Sequence, residues 1–152
     1  MLRDRFTETL KEAMKNKQDL TVSTVRLILA RLKEKDIEAR PKLDHIDDGA
    51  IQQMLQQMIK QRRESIELYE KGKRPELVAK EKGEIAVIER FLPKQMTGAE
   101  LEMAVRDTIK ETAAAGIKDM GKVMAALKTK YAGQLDPAAA SQTVKKLLTG
   151  EG

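Results

Sequence analysis

Apolar side chains recur three and four residues apart along most of the chain, and no stretch keeps the alternation of a strand. Leu2, Phe6, Leu10 and Ala13 or Met14 set the spacing of a first helix from about Leu2 to Asn16, and Asn16-Lys17-Gln18-Asp19 reads as a break. Asp19, Thr21 and Ser23 are alternative caps for a second helix reaching about Glu38. Val22, Val25, Leu29 and Leu32 form its stripe, widened by Ile28. A polar loop from Ala39 to Asp47 holds Pro41 and His45. Asp47 or Asp48 then caps a long third helix, on which Ile51, Met54, Leu55, Met58, Ile59, Arg62, Ile66 and Tyr69 follow the i, i+3, i+4, i+7 pattern. Gly72 stands where a left-handed residue would end it.

Pro75 suits the first position of a fourth helix, where its missing N–H is not needed. Leu77, Val78, Ile85, Ile88 and Leu92 give this helix its apolar face, Lys82 interrupts it, and Pro93 stops it. Leu92 to Met96 reads as a boundary. Thr97-Gly98-Ala99-Glu100 has the form of a capping box for a fifth helix carrying Leu101, Val105, Ile109 and Ala113, which Gly116 terminates. Asp119 is the expected cap of a short sixth helix with Val123, Met124, Leu127 and Tyr131, broken at Gly133. Asp136-Pro137 opens a seventh, with Ala140, Val144, Leu147 and Leu148 facing in. The pattern predicts an all-α protein: an N-terminal four-helix domain over residues 1–94, packed as an antiparallel bundle or paired hairpins, and a three-helix tail domain over 97–152. Helices as short as the last three must pack on one another to be stable.

Composition narrows the chemistry. Aromatics are only 3% of the 152 residues, so aliphatics, Met and Ala fill the core, a palette that favours helices over sheets. Without cysteine there is no disulfide, thiolate nucleophile or Cys-based metal site. The charged first turns leave no apolar leader and no stretch approaches a membrane span, so the expected location is cytoplasmic. The net charge of +5 permits a polyanion as partner.

No constellation of catalytic groups emerges. His45, beside Asp44 and Asp47, lacks the companions of a metal site, and no metal or other cofactor is expected. Glu81 and Glu84 lie one turn apart among Lys80, Lys82 and Arg90, which reads as a solvated, salt-bridged face rather than an acid–base pair. Gly72-Lys73-Arg74 and Gly121-Lys122 lack the glycine spacing of a phosphate loop. Met54 and Met58 read as core filler.

Positive charge remains. Lys60, Arg62, Arg63, Lys71, Lys73, Arg74, Lys80 and Lys82 gather around the turn between helices three and four. From Ile117 onward six lysines (118, 122, 128, 130, 145 and 146) face Asp119, Asp136 and Glu151, a net of +3. Helix five is the reverse, with Arg106 and Lys110 against Glu100, Glu102, Asp107 and Glu111, a net of −2.

Several segments, in order, resemble the GatB/YqeY family and its free-standing YqeY-like members. They are Arg26-Leu27 with Ala30; Tyr69-Glu70-Lys71-Gly72-Lys73-Arg74-Pro75-Glu76-Leu77; Glu81 and Glu84; Phe91-Leu92-Pro93-Lys94-Gln95; and Met120-Gly121-Lys122-Val123-Met124, followed by Tyr131 and Asp136. The resemblance implies a helical N-terminal domain joined to the kind of tail that closes the B subunit of the glutamine-dependent tRNA amidotransferase. That enzyme is a carbon–nitrogen ligase that amidates Glu or Asp mischarged on tRNA, and its tail is associated with holding tRNA. The kinase-like catalytic body has no counterpart in this chain. The expected function is therefore a tRNA-binding accessory protein without amidation activity of its own, working with tRNA and a protein partner in tRNA charging or amidation. Its expected RNA-binding residues are Gly121, Lys122, Lys128, Lys130, Lys145 and Lys146, with the glycine letting a backbone approach a helix start. The alternative is a protein-interaction module docking through Met120, Val123 and Met124. Gly83 within helix four is an unusual choice, costing about 1 kcal/mol relative to Ala.

Overall fold

A computed structural model of the chain describes residues 1–150. Among these are seven α-helices, one 3-10 turn and no strand. The helices are α1 (Leu2–Lys15), α2 (Asp19–Ala39), α3 (Asp48–Lys71), α4 (Pro75–Glu89), α5 (Gly98–Glu111), α6 (Met120–Lys130) and α7 (Pro137–Leu148). The 3-10 turn, Ile117–Asp119, runs directly into α6. The chain divides into two compact units, Met1–Leu92 with α1 to α4, and the remainder from Pro93 with α5 to α7.

In the first unit Phe6, Val25, Ile28, Ile51, Leu55 and Ile88 are almost completely buried, so all four helices contribute to one core. Phe6 and Phe91 meet edge to face with ring centroids 4.8 Å apart, a geometry the ring quadrupoles favour. On α1 it is Ala13 and not Met14 that turns inward. On α2 the buried set is Thr24, Val25, Ile28 and Leu32, while Val22 and Leu29 are only half-buried. The stripe is rotated because α2 packs against both α1 and α4, a sandwiching that local periodicity does not report.

An Arg3-centred network fastens the start of α1 to the end of α2 and the loop beyond it. Arg3 grips Asp36 with both terminal nitrogens, at 2.8 and 2.7 Å, and donates to the Ile46 carbonyl at 2.8 Å. The Ile46 N–H donates back to Asp36 at 2.8 Å. The Arg3 hydrogen bonds, above all, hold the Asp36 carboxyl down to about 2, against the opposing effect of burial.

Helix ends depart from expectation more than helix bodies do. Asp47 caps α3 as expected, accepting from the Ala50 N–H at 2.9 Å. Asp19, Thr21 and Ser23 do not cap α2: its N-cap is Gln18, and Ser23 Oγ donates instead to the Leu20 carbonyl at 3.1 Å. Gly72 is not left-handed. Its φ is −81°, and the left-handed position falls to Lys73 with φ 55°. Arg74 N–H donates to Tyr69 O at 2.9 Å and Lys73 N–H to Glu70 O at 3.2 Å, the two bonds of a Schellman motif with lysine where glycine is usual. Lys17 closes α1 in the same way. Gly83 leaves α4 regular: a Cβ there would lie 2.6 Å from Leu20 Cδ2, so the missing side chain makes room for α2.

In the second unit Leu101, Val105, Val123, Leu127, Leu135, Ala140 and Val144 form the core. The capping box at Thr97 does not form; Gly98 takes φ 54° and the Thr97 side chain makes no capping bond. Nor does Gly116 end α5, which closes at Ala113 with φ 53° through a third Schellman pair, Ala114 N–H to Ile109 O and Ala113 N–H to Lys110 O. Asp119 does not cap α6 with its side chain, but accepts from the upstream Ala115 N–H at 2.9 Å. Asp136 and Pro137 open α7 as their order requires. The end of the boundary segment is tied down: Gln95 Nε2 donates to Gly133 O at 2.6 Å, and Met96 N–H to Gln134 O at 2.8 Å.

Candidate nucleic-acid surface

The six residues expected to touch RNA all lie on α6 and α7 and all are exposed. Val123 and Leu127 are the inward positions of α6, and Ala140 and Val144 those of α7. Lys122 and Lys128 therefore flank the buried stripe of α6 from opposite sides, about 120° apart around the helix. A phosphate strand touching both must cross α6 rather than run along it. Gly121 has nothing within 4 Å of where a Cβ would stand, so packing does not require glycine there. The start of α6 is a weaker anion site than expected. The 3-10 turn already occupies the Met120 N–H, and the Asp119 carboxylate lies at that end.

The lysines are not equivalent. Lys122, Lys128 and Lys145 make no ion pair or side-chain hydrogen bond among the described residues. Lys130 is held: its Nζ donates to Glu111 Oε1 at 2.7 Å and lies 5.6 Å from the centroid of the Tyr131 ring. That hydrogen bond to Glu111 is the main cause of the upward shift of the Lys130 ammonium. Glu102 is paired with Arg106 at 2.7 Å, and its carboxyl is lowered chiefly by that bond, with a smaller contribution from Lys146. The sequence counts α5 as acidic but gives no sign of these pairings, because Glu111 and Lys130 are 19 residues apart and meet only once α5 packs on α6.

In the first unit the basic cluster is partly neutralised. Arg74 binds Glu76 at 2.7 Å and Arg63 reaches Glu89 at 4.0 Å. Arg62 turns inward and donates through Nε to Glu84 Oε2 at 2.8 Å, with side chains only 13% and 9% exposed. Lys60, Lys71, Lys73, Lys80 and Lys82 stay exposed. The reading of Glu81 and Glu84 as a solvated face is corrected here. Glu84 is buried, and its partner comes from α3 rather than from Lys80, Lys82 or Arg90. Desolvation first, and the Glu84 charge second, raise the Glu81 carboxyl. Arg62 already stood on the inward stripe of α3; the matching signal was the gap in the apolar face of α4 at Glu81 and Glu84.

His45 is exposed, 3.7 Å from the still more exposed Asp44. Among the described residues no three His, Cys, Asp or Glu side chains gather as metal ligands, and no helix is long and apolar enough to cross a membrane. Of the three apolar residues expected to dock a partner, Val123 is fully buried, and Met120 and Met124 are half-buried against the same core.

A family model described as Yqey-like protein matches residues 3–148. The protein named Altered inheritance of mitochondria protein 41, mitochondrial, from Lachancea thermotolerans is 36% identical over 94 residues, 62% of this chain and 49% of that protein. Its namesake from Eremothecium gossypii is 36% identical over 100 residues, 65% and 53% of the two chains. That of Saccharomyces cerevisiae is 32% identical over 94 residues, 62% and 50%. The chain thus spans about half the length of the curated relatives it matches. Their names speak of neither RNA nor amidation. They also overturn the cytoplasmic expectation, since these relatives are named as mitochondrial. That expectation rested on the charged first turns and the lack of a membrane span, and neither bears on a mitochondrial leader, which is amphipathic and Arg-rich.

Proposed function

The chain belongs to the YqeY-like family, and from that premise we propose that it is a tRNA-binding accessory protein of tRNA amidation. In this reading Met1–Leu92 is the four-helix N-terminal domain, and the unit from Pro93 is the three-helix tail that holds the RNA. The amide transfer itself belongs to a partner carrying the catalytic body. The observation that carries the reading is the set of exposed lysines, Lys122, Lys128 and Lys145, unpaired among the described residues, on a unit whose acidic charge is concentrated on α5. Gly121, Lys130 and Lys146 complete the surface. Lysines so placed neutralise phosphates without reading bases, so shape and a partner supply the choice of RNA.

The test is binding of the purified chain to total tRNA at about 50 and 200 mM salt, with duplex DNA as control. Tight binding that weakens steeply with salt, and prefers tRNA, is expected. Lys122→Glu with Lys128→Glu should lower affinity at least about tenfold, through loss and reversal of two phosphate contacts. Unchanged affinity in that double variant would reject the site, and no binding by the wild-type chain at low salt would reject the function.

A further inference from the structure

Glu111 occupies a place that helix α5 itself disfavours. It is the last residue of the helix, where the carbonyl ends of the peptide dipoles repel a carboxylate. Lys130, the last residue of α6, is by contrast well placed at a helix C-terminus. The two meet at 2.7 Å, and the ammonium lies beside the Tyr131 ring. Their side chains are 42% and 58% exposed, so the pair is open to solvent. Pairs of this kind contribute little to stability. The contact has a different consequence: one of the tail lysines is already neutralised before any polyanion arrives, while Lys122, Lys128 and Lys145 have no such partner among the described residues.

We infer that Glu111 masks Lys130, withholding it from phosphate and so setting the strength of the RNA-binding surface. The inference rests on the tRNA-binding reading above and adds a residue that attenuates it. The carboxylate takes up the ammonium, so the pair presents no net charge to an approaching phosphate. Because the mask is exposed, removing it leaves the fold intact and frees the ammonium.

The experiment compares tRNA affinity of Glu111→Gln, Asp107→Asn and the double variant Glu111→Gln/Lys130→Gln with wild type across a salt series. Asp107 is an exposed acid of the same helix that holds no lysine, so its variant makes the same change of net charge without freeing an ammonium. Glu111→Gln should raise affinity roughly two- to fivefold, the range an exposed ion pair can withhold. It should also steepen the slope of log K against log salt by about 0.7 to 0.9, one additional phosphate contact. Asp107→Asn should change the slope by much less, and Lys130→Gln in the double variant should cancel the gain. Equal behaviour of Glu111→Gln and Asp107→Asn, or a gain that survives loss of Lys130, would overturn the inference while leaving the RNA-binding reading in place. Failure of the wild-type chain to bind tRNA would overturn both.

Discussion

Lys17, Lys73 and Ala113 each adopt φ near 55°, a region in which an L side chain crowds its own carbonyl at roughly 1–2 kcal/mol. Each is the residue after a helix cap, and each is held there by the paired bonds that close the helix. Lys73→Gly removes the crowding but adds freedom to the unfolded chain, which offsets about 0.5–1 kcal/mol of the gain. The expected result is a net stabilisation of about 0.5–1 kcal/mol, read as a raised urea midpoint with an unchanged slope. Gly72→Ala gives the complementary test. The glycine sits at φ −81°, and the nearest atom to an added Cβ is Leu68 O at 3.4 Å, so this change should be neutral or slightly stabilising. A loss of more than about 1 kcal/mol on Gly72→Ala would restore the sequence-based placement of the left-handed residue. The error was one residue long and has a plain cause. Composition marks where a helix ends, but the hydrogen bonds that choose the left-handed position depend on the last turn as folded.

At the scale of the element, α3 and α4 are joined by a buried ion pair as well as by apolar contact. Arg62 is expected to be indispensable only while Glu84 is present. Arg62→Met should cost about 3–5 kcal/mol, because it strands a buried carboxylate. Adding Glu84→Leu should recover most of that, since well-packed apolar replacements of such pairs are often neutral. A double-mutant cycle by denaturant unfolding measures the coupling, and additive losses would show that the pair contributes nothing specific. The sequence showed why helices form here at all. Ile51, Met54, Leu55, Met58 and Ile59 announce α3, and all five are buried. It placed Arg62 on that stripe too. What it could not supply was the partner, because Glu84 is 22 residues away and its role depends on how α4 rotates against α3. The lysines of the tail were legible as charge, whereas the pairing of Glu111 with Lys130 was not. Exposure follows from one helix's period, and pairing follows from two helices meeting.

Across the whole molecule, acid should act through two carboxyls that pull in opposite directions. Asp36 is held at about 2 from an ordinary 3.8, so ionisation favours the folded state. Its contribution is complete above pH 3.8 and is lost as pH falls from there toward 2. A lowering of this size corresponds to about 2 kcal/mol. Glu81 is raised above its ordinary 4.5 by burial and by Glu84, so its charge opposes folding, and that opposition fades as pH falls through its raised value toward 4.5. Unfolding midpoints measured from pH 7 to pH 2 separate the two. Asp36→Asn should be less stable than wild type at pH 7, with the gap closing as pH falls from about 4 to 2. Glu81→Gln should be more stable at pH 7, with its advantage gone below pH 4.5. The opposite signs matter because they cannot come from net charge alone. The molecule is already positive, and every protonation increases self-repulsion, which predicts a loss at all acidic pH values. A Glu81→Gln advantage that persisted unchanged to pH 3 would mean that the substitution acts through packing. A constant Asp36→Asn gap would mean that Arg3 fastens the loop through the geometry of its bonds rather than through the charge of Asp36.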